Sequence, residues 1–347
     1  MGSPVGITAL GTYVPERILS NFDLEKMVDT TDEWIRDRTG IQERRIAADG
    51  QWTSDLGVLA ARDLVSRYGE GSLQGVDVVI CATASPDAMF PATAAIIAHK
   101  LGLGRLAAFD ISIACSGFVY AAAVAQGMVV SGVYRKALVI AADALSRIVD
   151  YSDRSTCVLF GDAAGAALVE RVPDGYGFEA FDLGADGAGG KDLFMMLTAD
   201  DLPGLKVPAN KRLAMNGKEV FKFAVRIMAD SALRTLEKAG LQASDLALFV
   251  PHQANHRIIE PARERLGLPP DRVANNLHKY GNTSTASVPL ALREALDEGK
   301  VKDGDHILLV AFGGGLSWAG ALIRWPGSAT GQRRPVPGLG GKLPRNP

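Results

Sequence analysis

Between residues 76 and 142 the chain alternates apolar, unalternating runs with segments of helical character. Residues 76–82, 106–114 and 137–142 are apolar at nearly every position, which predicts strands buried on both faces, not one face wetted. Residues 93–101 and the alanine-rich 116–131 lie between them and predict crossover helices. This βαβαβ order requires a mainly parallel sheet covered by helices on both sides, so the fold class is α/β. Residues 160–169, small and apolar, fit a further strand in a tightly packed centre. The opening Val5-Gly6-Ile7-Thr8-Ala9-Leu10-Gly11 predicts another strand, and Thr53 or Ser54 is expected to cap a helix with Leu56, Leu59, Ala60 and Leu64 on one face.

The pattern recurs. Residues 78–82 match 246–250, Lys100-Leu101-Gly102-Leu103 matches Arg265-Leu266-Gly267-Leu268, and 137–142 match 306–311. Between these lie Cys115-Ser116-Gly117 in the first half and Gly281-Asn282-Thr283-Ser284 in the second. The repeat predicts two similar halves, 1–174 and 175–326, with Cys115 and Asn282 at nearly equivalent turns facing one another at the mouths of two central helices. Residues 184–216, rich in Gly, Asp and Pro, are expected to be loop, followed by a helix over 218–238. Residues 327–347 hold little to bury and predict a disordered tail.

Charge and cysteine content narrow the function. With 37 Lys+Arg against 39 Asp+Glu there is no general attraction to nucleic acid. Apolar runs are interrupted before the roughly 20 residues of a membrane span, and Met1-Gly2-Ser3-Pro4 opens no secretion signal. Three cysteines cannot frame a disulfide scaffold, and their separation does not match metal-ligand pairs. A reducing cytoplasm is the expected compartment, with no metal.

Three segments join a strand-like run to polar residues a core would not choose: Cys115, His252 in Pro251-His252-Gln253-Ala254-Asn255, and Asn282. A cysteine where a strand gives way to a helix lies at the positive end of the helix dipole, which favours the thiolate. A histidine and an amide can donate hydrogen bonds to a developing oxyanion. Cys81 and Cys157 lack such company and read as core; His99, His256, His278 and His306 read as surface or packing.

Together with Asp32-Glu33-Trp34-Ile35, Arg38-Thr39-Gly40-Ile41, Phe160-Gly161-Asp162 and Phe312-Gly313-Gly314-Gly315, these segments make the chain resemble the β-ketoacyl-acyl carrier protein synthase III family of thiolase-fold condensing enzymes. The likeness covers about residues 5–325. It implies two βαβαβ halves in a layered αβαβα core. It also implies an acyltransferase that starts fatty-acid synthesis by decarboxylative condensation of a short acyl-CoA with malonyl-acyl carrier protein. Cys115 would carry the acyl group, with the backbone N–H groups of Cys115 and Gly315 as its oxyanion hole. His252 and Asn282 would hold the malonyl thioester oxygen. Trp34, Arg38, Arg154, Phe221 and Asn255 would contact coenzyme A, which enters as a thioester substrate with no separate cofactor. Lys218, Lys222, Arg226 and Arg257 would dock the acidic carrier protein. The family implies a homodimer, in which Phe90 of Met89-Phe90-Pro91 would reach a neighbour's acyl tunnel.

A starter-unit ketosynthase or acyltransferase of a polyketide or other secondary pathway is the alternative. Members of that branch that only transfer acyl groups often alter the Asn, so Asn282 favours condensation. A non-catalytic carrier-protein scaffold is disfavoured by Cys115, His252 and Asn282 occurring together. Pro261 departs from relatives and is expected to kink the following helix or mark its start.

Overall fold

The computed structural model describes residues 4–199, 201–202, 205–206 and 211–327. Val5–Tyr13, Ala163–Arg171, Lys136–Asp143, Val78–Ala82 and Ala107–Ile111 form one sheet in that spatial order. The last three are mutually parallel and the first two pair antiparallel. Leu246–Pro251, His306–Gly313, Ser317–Arg324 and Gly177–Ala185 form the second sheet in that order, its first pair parallel and the others antiparallel.

The second sheet repeats the first minus one strand. The counterpart of Ala107–Ile111 is a single bridge between Phe249 and Val273, secured by the Ala274 N–H on the Phe249 carbonyl at 2.9 Å. The local cause is Pro269-Pro270, which open the short 3-10 turn Pro270–Arg272. Two prolines in a row supply no N–H to a ladder.

Helices Gly117–Val130 and Ser287–Asp297 lie between the sheets. The first is apolar nearly all round, as a helix walled by sheet on both sides must be: Phe118, Val119, Ala121, Ala122, Ala125 and Val129 are all fully buried. Thr53–Tyr68 and Thr93–Lys100 cover the outer face of the first sheet. Gly217–Ala239 and His256–Arg265 cover the second. The result is the layered αβαβα arrangement that the resemblance implies, but the sheets are mixed and not mainly parallel as the alternation predicts, because Ala163–Arg171 and Ser317–Arg324 each run antiparallel to both neighbours.

Several local expectations change. Thr53 is the first helical residue and does not cap; Trp52 precedes it, with its N–H held by the Asp55 carboxylate at 2.9 Å. Pro261 does not begin its helix. The helix starts at His256 behind Asn255, whose Oδ1 accepts the Arg257 N–H at 2.8 Å, and Pro261 sits inside it. Its missing N–H leaves the Arg257 carbonyl without a helical donor. Residues 184–216 are not wholly loop: Gly187–Asp192 is a 3-10 helix, and Leu193–Phe194 pairs with Ala214–Met215. Leu193 and Met215 pack on the cluster containing Phe312 and Leu316. The expected tail, apart from Gly327, lies outside the described residues.

The register of the repeat also shifts. Ala114–Ser116 and Ser284–Ala286 are matching 3-10 turns, each leading directly into a central helix, and Ala114 and Ser284 both take φ 49°. Cys115 is therefore equivalent to Thr285, and Asn282 lies three residues before that equivalent position. Neither left-handed position is glycine, so no glycine marks the register in the sequence.

Candidate active site

Asn282 is fixed first by its backbone. Its N–H donates to the Leu159 carbonyl at 2.8 Å, and its carbonyl accepts the Gly161 N–H at 3.0 Å, a bridge that ties it to the Phe160-Gly161-Asp162 segment. Gly281 has φ 64°, and a Cβ there would lie 2.7 Å from the Leu159 carbonyl oxygen, so only glycine fits this turn. The side-chain Oδ1 then accepts the Ser284 N–H at 2.9 Å. With its oxygen anchored, the amide presents its NH₂ as donor.

Arg44 supports this turn from below. It is fully buried, donates to the Leu19 and Val158 carbonyls and to Asn21 Oδ1, and its Cβ lies under Gly161 and Gly281. Burial lowers its pKa to about 10, which still leaves it charged. Asp162 holds the neighbouring segments by accepting the N–H groups of Ala47 and Ser146.

Cys115 sits in the 3-10 turn before Gly117–Val130 and is 7% exposed. Burial pushes its thiol up to about 12, against the downward pull of hydrogen bonds from Ser284 and from its own backbone N–H; the buried Asp143 carboxylate adds to the rise. Burial therefore acts against the thiolate that a helix start favours and holds the resting sulfur toward the neutral thiol. Gly313 closes on it, since a Cβ there would stand 2.7 Å from the Cys115 nitrogen. Asp143 occupies the pseudo-equivalent place in the other half. It accepts the N–H and Oγ1 of Thr285 at 3.1 and 2.8 Å, and also binds Thr83, Ala84 and Ser85.

His252 follows the strand Leu246–Pro251, its N–H on the Val310 carbonyl at 2.7 Å. The ring is fully buried, edge-on to Phe312 with centroids 5.3 Å apart. Nδ1 lies 2.5 Å from Ser287 Oγ, and Nε2 is buried without a partner among the described residues. Cys115, Asn282 and His252 therefore converge on the single segment 282–287, through Ser284 and Ser287. Neither serine stands out in the sequence beyond its place in Thr283-Ser284-Thr285-Ala286-Ser287.

Burial lowers the His252 pKa to about 3, so the imidazole is neutral through the physiological range. Between about 3 and the unfolded value near 6.5 the unfolded chain binds a proton that the folded chain refuses. Stability is complete above 6.5 and falls as pH drops toward 3. Denaturant titrations at pH 7 and pH 4 should show that loss, and His252→Gln should remove part of the pH dependence.

The remaining expected positions lie at or near the surface. Arg154 and Trp34 are exposed, with the Arg154 guanidinium 5.0 Å from the Trp34 ring centre and donating to the Asp29 carbonyl at 2.7 Å. Arg38 is exposed, and its carbonyl accepts the Asn255 Nδ2 at 3.0 Å. The Asn255 amide is thereby engaged at both ends, bracing two helices. Arg257 lies over the half-buried Phe221 ring at 5.5 Å. Lys218, Lys222 and Arg226 are exposed along one helix, Lys222 in a surface pair with Glu219 at 2.8 Å. Phe90 is 81% exposed. Gly315 takes φ 126° in the turn following Gly313.

Family models for 3-oxoacyl-[acyl-carrier-protein] synthase III and for its C-terminal part match residues 109–187 and 236–325. The β-ketoacyl-[acyl-carrier-protein] synthase III of Deinococcus deserti is 54% identical over 94% of this chain and 92% of its own length. This chain belongs to the β-ketoacyl-acyl carrier protein synthase III family. The crystal structure of that synthase from Thermus thermophilus matches with a TM-score of 0.91 and 55% identity, covering 93% of this chain and all of the other. The priming β-ketosynthase of the R1128 polyketide pathway is also similar, at 38% identity and a TM-score of 0.85 over 94% and 97% of the two chains. The protein is a condensing acyltransferase on the thiolase fold that initiates fatty-acid synthesis. Among the described residues no helix is long and apolar enough to cross a membrane.

Proposed function

We propose that this synthase joins a short acyl-CoA to malonyl-acyl carrier protein through an acyl-Cys115 intermediate. The observation that carries the assignment of roles is the convergence of Cys115, His252 and Asn282 on residues 282–287. Cys115 attacks the acyl thioester and expels coenzyme A as its thiol, splitting one hard step into two. The backbone N–H groups of Cys115 and Gly315 receive the tetrahedral oxyanion. Malonyl thioester then loses carbon dioxide, and its carbanion attacks the acyl group, releasing the Cys115 sulfur. His252 Nε2 and Asn282 Nδ2 donate to the thioester oxygen as charge gathers there. Both donors are neutral and fixed before the substrate arrives, which is what oxyanion stabilisation requires. The thioesters carry the activation, so no separate cofactor is needed.

Residues 1–174 supply the nucleophile and 175–326 the donor pair. Coenzyme A enters past Trp34, Arg38, Arg154, Phe221 and Asn255. A base stacked between Trp34 and the Arg154 guanidinium would need about 7 Å between them, two contacts of roughly 3.5 Å. Their present 5.0 Å means that Arg154 swings aside when adenine inserts there. The enzyme works in the cytoplasm as a homodimer. Two features support the dimer: Ala107–Ile111 is an uncovered sheet edge with every residue partly exposed, and Met89 and Phe90 stand out beside one another. Edge pairing would cover the strand and carry Phe90 toward the partner's acyl tunnel.

Incubation with a panel of acyl-CoAs, read by intact mass and followed by malonyl-carrier protein, tests the reading. An adduct on Cys115 that is converted to 3-ketoacyl-carrier protein is expected; an adduct that never condenses would favour an acyltransferase. Lys218, Lys222, Arg226 and Arg257 dock the carrier protein. The double variant Lys222→Glu, Arg257→Glu should raise KM for malonyl-carrier protein on the order of tenfold or more, with a weaker salt dependence, since complementary charge governs encounter. An unchanged KM would remove these residues from the dock.

A further inference from the structure

We propose that Ser287 is a positioning residue that selects the His252 tautomer required for condensation, an inference that rests on the role given to His252 above. Ser287 is 1% exposed and is the first residue of the central helix Ser287–Asp297, so its hydroxyl is held by the helix start. Its Oγ lies 2.5 Å from His252 Nδ1 and 3.4 Å from the Gln253 nitrogen. A backbone N–H can only donate, so Ser287 Oγ is the acceptor for Gln253.

The direction of the remaining bond follows from counting protons. If Nδ1 carried hydrogen and donated to Ser287, the hydroxyl proton would be buried with no other acceptor among the described residues. The imidazole would also present a bare lone pair at Nε2. If instead the hydroxyl donates to Nδ1, the Ser287 proton and the Gln253 N–H are both satisfied. The imidazole's single hydrogen then sits on Nε2. That nitrogen is buried with no partner among the described residues, and an orphan donor is unusual enough to call for an explanation. A developing thioester oxyanion supplies the acceptor. His252 stays neutral because burial depresses its pKa, so tautomer choice, not protonation, decides whether it can donate there.

The sequence motif Pro251-His252-Gln253 contributes to the same end. Gln253 is locked by its Nε2 on the Pro251 and Ala274 carbonyls at 2.7 and 3.1 Å, and its Oε1 accepts the Asn276 N–H at 3.0 Å. This keeps the Gln253 N–H aimed at Ser287 and so keeps the hydroxyl proton turned toward the imidazole.

The test uses the full chain with ¹⁵N-labelled histidine. The wild-type His252 spectrum should show a protonated Nε2 and an unprotonated Nδ1; protonation on Nδ1 would overturn the proposal without any variant being made. Ser287→Ala should still form acyl-Cys115 but lose condensation by roughly ten- to a hundredfold, less than full removal of an oxyanion donor. Its His252 spectrum should shift toward a mixture of tautomers. Ser287→Thr, which keeps the hydroxyl, should restore most of the rate. Condensation by Ser287→Ala at the wild-type rate would sink the role of Ser287. His252→Ala separates the two levels: if it condenses normally, the reading of His252 fails, whereas loss there with a fully active Ser287→Ala leaves that reading intact and removes only Ser287.

Discussion

Cys115→Ala should yield no acyl adduct with any acyl-CoA and no 3-ketoacyl product, because the variant has no atom to hold the acyl group between the two half-reactions. The expected loss is complete within detection for acylation. Folding should survive the change, since the side chain shrinks by one atom at a site with 7% exposure. The variant also isolates the second half-reaction: any decarboxylation of malonyl thioester that remains must come from His252 and Asn282 alone. An adduct of acyl mass on the Ala variant would mean that another nucleophile, such as Ser284 beside it, does the work.

The wild-type pH profile gives the same residue a quantitative test. A helix-dipole account places the Cys115 pKa below its ordinary value and predicts that acylation levels off near neutrality. Burial places it at about 12, so the thiolate fraction should rise about tenfold per pH unit through the neutral range. Pre-steady-state acylation should therefore climb from pH 6 to 9 without a plateau near 7. A plateau there would show that the dipole, or the bound thioester, outweighs desolvation.

The architecture was legible because its causes are repetitive. Unalternating apolar runs such as Val78-Val79-Ile80-Cys81-Ala82 are fully buried on both faces, which the sequence pattern announces directly. The register of the second central turn was not legible. It depends on left-handed backbone at Ala114 and Ser284, residue types that rarely adopt that conformation and so leave no mark. The burial that raises the Cys115 thiol was not legible for a related reason: a helix start is visible in sequence, whereas contacts between distant segments, such as Gly313 against the cysteine nitrogen, are not. Arg44 illustrates the limit most sharply. In Glu43-Arg44-Arg45 it reads as surface charge, yet it is fully buried under Gly161 and Gly281, holding the turn that carries Asn282.

Asn282→Ala should leave acyl-Cys115 formation near the wild-type rate while condensation falls by on the order of a hundred- to a thousandfold, the usual effect of deleting one preorganised oxyanion donor. The separation follows from geometry. The acylation oxyanion is assigned to backbone N–H groups, which the substitution leaves in place. The malonyl oxyanion is assigned to two side-chain donors, of which one is removed. The truncation also frees the Ser284 N–H that Asn282 Oδ1 now accepts at 2.9 Å, so some slackening of the 282–287 turn is expected. Asn282→Asp distinguishes donor loss from slackening. It keeps an acceptor for Ser284 but puts a carboxylate where charge must develop. If the donor matters, the Asp variant should condense no better than Ala and retain a wild-type stability; if the turn matters, it should recover. Combining Asn282→Ala with His252→Ala should cost less than the product of the single losses, because both donors serve one oxygen. Full multiplicative losses would instead assign the two side chains to different steps.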